Sequence, residues 1–181
     1  ASSEGRDARK KGRISMTDDD VRQAFIDGMS LAAASVSIVT TDGPAGRQGV
    51  TVSAMTPVSA DGEAPTLLVC LNASATTLPV LLENGCFCVN VLAREQVDIS
   101  DVFSSRRPAP DGDKFNAAGF DAGPTGAPRL KGALVSFDCR LVSADKIGTH
   151  HICIGAVEDV TVSQGSPLLY GMRSYLRAEK H

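Results

Sequence analysis

Apolar and polar positions along the chain recur with two different periods, and each change of period marks a new element. After Thr17-Asp-Asp-Asp20, residues Val21, Ala24, Phe25, Met29 and Leu31 to Ala33 follow at helical spacing. Thr17 serves as N-cap and the aspartates complement the positive end of the helix dipole, so a packing helix is predicted over 17–33. From Ser35 the texture becomes β-branched, and Val36-Ser-Ile-Val-Thr-Thr41 reads as a strand closed by Asp42-Gly43-Pro44. Further strands are expected over 48–58, 66–71, 86–92, 133–144, 150–162 and, briefly, 168–170. Two helices interrupt them. One, over 77–84, tolerates Pro79 in its first turn and stops before Gly85; the other, over 94–105, turns Val97, Val102 and Phe103 inward. The stretch 107–129 is rich in Pro, Gly and Asp, and so long an irregular segment in a compact domain usually serves function or wraps a neighbour.

Strands outnumber helices and no βα alternation is present, so the predicted fold class is mainly β with flanking helices, a closed or split β-barrel. A length of 181 residues suits one domain, 17–181. Residues 1–16 carry the run Arg6-Asp-Ala-Arg-Lys-Lys-Gly-Arg13 with almost nothing to bury, and are expected to form a flexible extension whose charge serves solvation or an acidic partner.

A net charge of −3 argues against a general electrostatic grip on nucleic acid, and 4% aromatic residues with no Trp supply few stacking platforms for single strands. Small molecules are the expected ligands. No apolar run approaches the roughly 20 residues that span a bilayer, so no membrane contact is expected. The five cysteines each lie in or beside an apolar run without a C-x-x-C pair, and are expected as buried thiols. Their odd number and the lack of a secretory leader predict a cytoplasmic setting.

Two segments carry candidate chemistry. Gly49-Val-Thr-Val-Ser-Ala-Met55 alternates, placing the hydroxyls of Thr51 and Ser53 on one face, either as solvated surface or as a binding strand. Leu71-Asn-Ala-Ser-Ala-Thr-Thr77 runs into a helix start, where hydroxyls and free N–H groups form either a phosphate site or simply an N-cap. Neither Gly-x-Gly-x-x-Gly nor Gly-x-x-x-x-Gly-Lys occurs, so a nucleotide would be held another way, and no nucleophile elbow or His-Glu-x-x-His helix is present. His150 and His151 adjoin at a strand start and face opposite sides, so at most one enters a given pocket.

The ordered set Ser37-Ile-Val-Thr-Thr41, Gly49-Val-Thr-Val-Ser-Ala54, Pro57-Val-Ser59, Leu67-Leu-Val-Cys-Leu-Asn72, Ser74 with Thr76-Thr77, Phe87-Cys-Val-Asn-Val-Leu92, Phe103-Ser-Ser-Arg106, Asp113-Lys-Phe115, Gly148-Thr-His150 with Gly155-Ala-Val157, and Pro167-Leu-Leu-Tyr170 closely resembles the flavin reductase family. More narrowly, it is similar to the small NADH-using component of two-component, flavin-dependent aromatic hydroxylases, over about residues 20 to 177. The resemblance implies an FMN-binding split β-barrel and a homodimer. It also implies FAD or FMN with NADH as cofactors, and a partner monooxygenase, an aromatic or phenol hydroxylase, that receives the reduced flavin.

Residue by residue, the resemblance implies that Thr51, Val52, Ser53, Ala54 and Ser59 cradle the flavin ring, while Asn72, Ser74, Thr76 and Thr77 reach ribityl and phosphate groups. Phe103, Ser104, Arg106, Lys114 and Phe115 line the rest, with Arg106 and Lys114 neutralising phosphate and Phe115 touching flavin or nicotinamide. Asn90 is carried over as a further cofactor contact, and His150 as the catalytic residue on the nicotinamide side, although the acidic member of the family's Gly-Asp-His is Thr149 here. The rival readings are a non-catalytic flavin-binding module and an oxidase of the pyridoxamine-phosphate type, which would carry more phosphate-pairing Arg and Lys. All of this requires the strand around residue 51 and the junction around residue 74 to converge on one cavity.

Overall fold

The computed structural model describes residues 17–180, so the extension expected over 1–16 and the terminal His181 lie outside the described residues. Helix α1 (Asp18–Leu31) opens with a capping box: Thr17 Oγ1 accepts the Asp20 N–H at 3.2 Å, and the Asp20 carboxylate accepts the Thr17 N–H at 3.0 Å. The expected packing role is not seen. No residue of α1 is buried, and Val21, Phe25, Met29 and Leu31 are all exposed. What ties the helix down is polar: Arg173 donates to Asp27 at 2.9 Å, and the Met172 N–H donates to the Ser30 carbonyl.

In chain order the strands are β1 (Ala34–Ser35), β2 (Ser37–Thr41), β3 (Gln48–Val52), β4 (Met55–Ser59), β5 (Thr66–Asn72), β6 (Cys86–Val91), β7 (Phe120–Ala122), β8 (Pro128–Leu130), β9 (Val135–Ile147), β10 (His150–Val162), β11 (Leu168–Gly171) and β12 (Ser174–Arg177). Seven form one antiparallel sheet in the order β3-β2-β6-β9-β10-β5-β4. The single strand expected over 48–58 is therefore two strands, because β3 pairs with β2 and β4 pairs with β5 at opposite edges. The chain changes edge at Ser53 and Ala54, where the Ala54 carbonyl accepts the Cys70 N–H at 3.1 Å. Curling the sheet until its edges are consecutive in sequence makes a barrel, and the change of partner leaves a split between β3 and β5. The fold is a mainly β split barrel with flanking helices.

Alternation along the strands fills the barrel with Val39, Val52, Val69, Leu71, Phe87 and Val89, and Leu78 and Leu81 of helix α2 (Thr77–Asn84) plug one end. Gly85 ends α2 in the left-handed region at φ 67°, its N–H donating to the Leu81 carbonyl. At a register shift of β10, a Cβ on Gly155 would come within 2.5 Å of Phe87 Cζ, so only glycine lets the barrel wall approach that ring. A second apolar cluster, with Val36, Ile38, Leu92, Val102, Phe103 and Leu168, lies under helix α3 (Val97–Phe103). The irregular stretch resolves into two short 3₁₀ turns, Pro110–Gly112 and Lys114–Ala117, and the ribbon β7–β8.

All five cysteines are free; Cys86, Cys88, Cys139 and Cys153 are buried and Cys70 is half-buried. Burial pushes the thiols of Cys139 and Cys153 up to about 12 and about 11, so neither is a thiolate at neutral pH. No helix among the described residues is long and apolar enough to cross a membrane.

Candidate functional site

Strand β3 is the common wall of three clefts. The first follows the barrel split and is lined by Val50 to Ala54, Cys70 to Asn72, Ala75 and His150. The second is lined by Gly49 to Thr51, Ser74 to Thr77, Phe103 to Ser105 and Lys114. The Thr51 strand and the Ser74 junction thus share walls, as the sequence required.

Within this arrangement the hydroxyls divide. Thr51 Oγ1 donates to the Ser100 carbonyl at 2.8 Å and so fastens β3 to α3, whereas Ser53 stands exposed at the cleft mouth. Asn72 Oδ1 accepts both the Ser74 N–H, at 2.9 Å, and the Ser74 hydroxyl, at 2.8 Å, which sets the turn into α2. Thr76 stands at the N-cap position but has helical backbone angles and makes no side-chain cap; Thr77 is buried. Of the two readings of this junction, the simple side-chain N-cap therefore fails; in the first turn of α2 the Leu78 N–H donates to the Ala75 carbonyl at 3.1 Å and Pro79 has no N–H, so it is the N–H groups of Thr76 and Thr77 that face a ligand. Lys114 lines the same cleft. Its ammonium donates to the Phe103 carbonyl at 3.1 Å, has no carboxylate within ion-pair distance among the described residues, and burial draws its pKa below the ordinary lysine value. A partly desolvated cation beside an uncapped helix start fits a phosphate.

The pairing of β10 with β5 sets His150 opposite Asn72 and hence in the first cleft, while His151 turns to the other face. Thr149 Oγ1 lies 3.0 Å from His150 Nδ1, which leaves Nε2 as the ring nitrogen open to a ligand. The threonine that replaces the acidic neighbour still orients the ring, without adding a charge.

The third cleft lies on another side of β3 and is lined by Val36, Thr51 to Ser53, Ser100, Ser104, Arg106, Tyr170 and Tyr175. The Arg106 guanidinium sits 5.1 Å from the Tyr170 ring centre and donates to the Tyr170 hydroxyl at 3.1 Å. The Tyr175 hydroxyl donates to Asp101 at 2.6 Å. Arg106 and Lys114, expected at one phosphate, thus occupy different clefts that share Thr51 and Ser104. Both tyrosines were missed as site residues. Tyr170 was available as part of a strand ending at a cleft, and Tyr175 lies on β12, which escaped prediction.

Three residues expected as contacts stand apart from these clefts. Asn90 is fully buried; its amide donates toward the Ile38 carbonyl, Thr40 Oγ1 and the Pro128 carbonyl, and its oxygen accepts from the Leu130 N–H at 2.8 Å and from Ser136 at 2.9 Å. It ties β2, β6, β8 and β9 together and lines no cleft described here. Phe115 is packed edge-on against Phe103 and Phe120, at 5.3 and 5.0 Å between ring centres, with Arg47 over its ring at 4.6 Å. Its ring belongs to the core because the irregular stretch folds back onto α3. Ser59 exchanges hydrogen bonds with the Asp61 backbone in the turn at the far end of β4, away from the clefts. Phe103 is intermediate: its ring is buried, and it borders the second cleft with its carbonyl held by Lys114.

Residues 29–179 match the flavin reductase like domain family. The chain is 44% identical over 156 residues to "FMN reductase (NADH) RutF" of Stutzerimonas stutzeri (strain A1501), covering 86% of this chain and 87% of that protein. Among solved structures it superposes on BorF, the flavin reductase component of a bacterial two-component tryptophan halogenase, with a TM-score of 0.77 and 30% identity, over 88% of this chain and 99% of that one. It also superposes on the NADH:FAD oxidoreductase SgcE6 of Streptomyces globisporus C-1027, with a TM-score of 0.80 and 25% identity, over 92% of this chain and 98% of that one.

Proposed function

This chain belongs to the flavin reductase family, and from that premise we propose that it is an NADH-dependent flavin reductase that holds flavin loosely and releases it reduced to a separate monooxygenase. The observation that carries the reading is the shared cleft between β3 and the uncapped start of α2, with Lys114 beside it. Bound flavin supplies the electron-accepting ring and NADH the hydride, so the chain needs to supply proximity and orientation, and no triad or metal.

In this reading the N–H groups of Thr76 and Thr77 at the start of α2, the Ser74 hydroxyl and Lys114 hold the flavin phosphate, and Ser53 and Ala54 with the apolar wall of β3 hold the ring. His150, steadied through Nδ1 by Thr149, orients the nicotinamide through Nε2. FMN is favoured because the relative at 44% identity is named an FMN reductase. The name of BorF, a component of a two-component halogenase, supports delivery to a separate oxygen-using enzyme; an aromatic hydroxylase as that enzyme rests on the motif resemblance. A homodimer is supported by the exposed apolar residues Val21, Phe25, Ile26 and Met29 of α1, which a second copy would cover.

The test is to mix protein, NADH and excess free FMN or FAD and to follow the nicotinamide absorbance band. Fast oxidation that scales with added flavin is expected. Tight flavin binding with no oxidation above the flavin-only background would overturn the reductase and leave a binding module.

A further inference from the structure

We propose that Asp27 and Arg173 are positioning residues whose ion pair latches α1 to the tip of the β11–β12 hairpin, making a strap over Ser53 and Ala54 that sets how fast flavin leaves. This rests on the reductase reading above, in which those two residues hold the flavin ring, and deepens it to control of release. Gly171 pairs with Ser174, so the hairpin turns on Met172 and Arg173 alone. Both take left-handed backbone angles, at φ 51° and 58°. Such angles suit the twist of a two-residue hairpin loop, and Gly, Asn or Asp adopt them readily, but in Met and Arg they press Cβ against the following carbonyl. The tip is a strained turn, and its outside contacts decide whether it keeps this form.

Those contacts lead to α1. Arg173 donates to Asp27 at 2.9 Å, the Met172 N–H donates to the Ser30 carbonyl, and the Met172 side chain is exposed. The other Asp27 oxygen accepts from Gln23 at 3.1 Å, which aims the carboxylate, yet the helix itself buries no residue. The base of the hairpin is fixed by contrast: Leu168 is buried, its carbonyl accepts the Val36 N–H and its N–H donates to the Leu92 carbonyl, both at 2.9 Å. A hairpin fixed at its base and latched at its tip can swing about the base. Met29, Ala33, Tyr170 and Arg173 line one cleft with Ser53 and Ala54, and the same Ser53 and Ala54 line the His150 cleft. Release of the tip therefore lifts a wall from the ring site. An exposed ion pair is worth little alone, but against a strained turn it is enough to shift a population.

The probe is FMN, and its release is followed by stopped flow as recovery of flavin fluorescence when the complex is diluted. Asp27→Ala and Arg173→Ala are each expected to speed release about fivefold. Asp27→Asn, which keeps the shape of the side chain, should act in the same direction and serves where an alanine variant does not melt as a folded protein. The double variant Asp27→Ala with Arg173→Ala should be no faster than either single one, and the exchanged pair Asp27→Arg with Arg173→Asp should return the rate to within about twofold of wild type. Met172→Asn carries the opposite sign: Asn accepts left-handed angles, so the latched form gains and release slows about twofold. Hydrogen exchange in flavin-free protein gives a second readout, with the Met172 amide exchanging faster in the alanine variants and the barrel amides unchanged. Wild-type release rates in both alanine variants, no recovery in the exchanged pair, or unchanged exchange at the hairpin tip overturns the proposal and leaves a surface ion pair. A failure of the reductase reading is seen separately, in wild-type protein that oxidises no NADH with added FMN, and the hydrogen-exchange comparison does not depend on it.

Discussion

The polar residues around Asn90 make their hydrogen bonds inside the fold, while those from Asn72 to Thr77 stand at the mouth of a cleft with donors left over. Both regions are built from Asn, Ser and Thr on or beside a strand, and both fall within motifs shared with the same family. What separates them is satisfaction. Asn90 exchanges bonds with groups on three other strands, so its worth is structural and is felt as a large penalty when removed. At the junction, Asn72 spends its oxygen on Ser74 and leaves the Thr76 and Thr77 N–H groups without a side-chain cap, which is of use only to a ligand.

The strongest way to break this contrast is Asn90→Ala, which strands the Leu130 N–H and the Ser136 hydroxyl without their acceptor. A loss of about 3 kcal/mol is expected, read as a lower urea midpoint at unchanged slope, with flavin affinity of the folded protein preserved. Reduced flavin binding at unchanged stability would instead place Asn90 in the site.

Next in size, Lys114→Ala is expected to weaken FMN binding about tenfold, measured by quenching of flavin fluorescence. Burial holds the folded pKa of Lys114 below its unfolded value, so the ammonium is present below that lowered pKa and lost above it. FMN affinity should therefore fall as pH rises toward the ordinary lysine value. Lys114→Arg should move the fall to higher pH, and Lys114→Ala should abolish it. For stability the sign is opposite: the cost of burying the charge is present at neutral pH and is relieved as pH rises through the folded pKa.

The finest test concerns the histidine beside the junction. His150→Ala is expected to raise KM for NADH about fivefold and Thr149→Val about twofold, both with unchanged flavin affinity. Equal losses of nicotinamide use and flavin binding would mean that His150 shapes the flavin site itself.

Much of the fold could be read directly from the chain. The strand over 150–162 and the helix over 77–84 are observed with those same limits, because turn residues or a C-terminal glycine punctuate them. The junction at Asn72–Thr77 was legible for a local reason: a strand, a turn and a helix start in seven residues confine their hydrogen bonds to one another. Less legible were α1, whose helical period says that one side is apolar but not that the rest of the chain leaves it uncovered, and β12, four residues too short to show a period.

The sequence by itself determined the order of elements, the barrel-forming alternation and the polar strand-to-helix junction, all of which depend on neighbours within a turn or a strand. Tertiary structure decided which sheet edge each half of residues 48–58 would join, that Arg106 and Lys114 would serve different clefts, and that Asn90 would be a structural tie. The reason is that alternation encodes the face a residue takes and not its neighbour on that face. Asn90 finds its partners 38 to 52 positions away along the chain, and only the closed barrel brings them within reach.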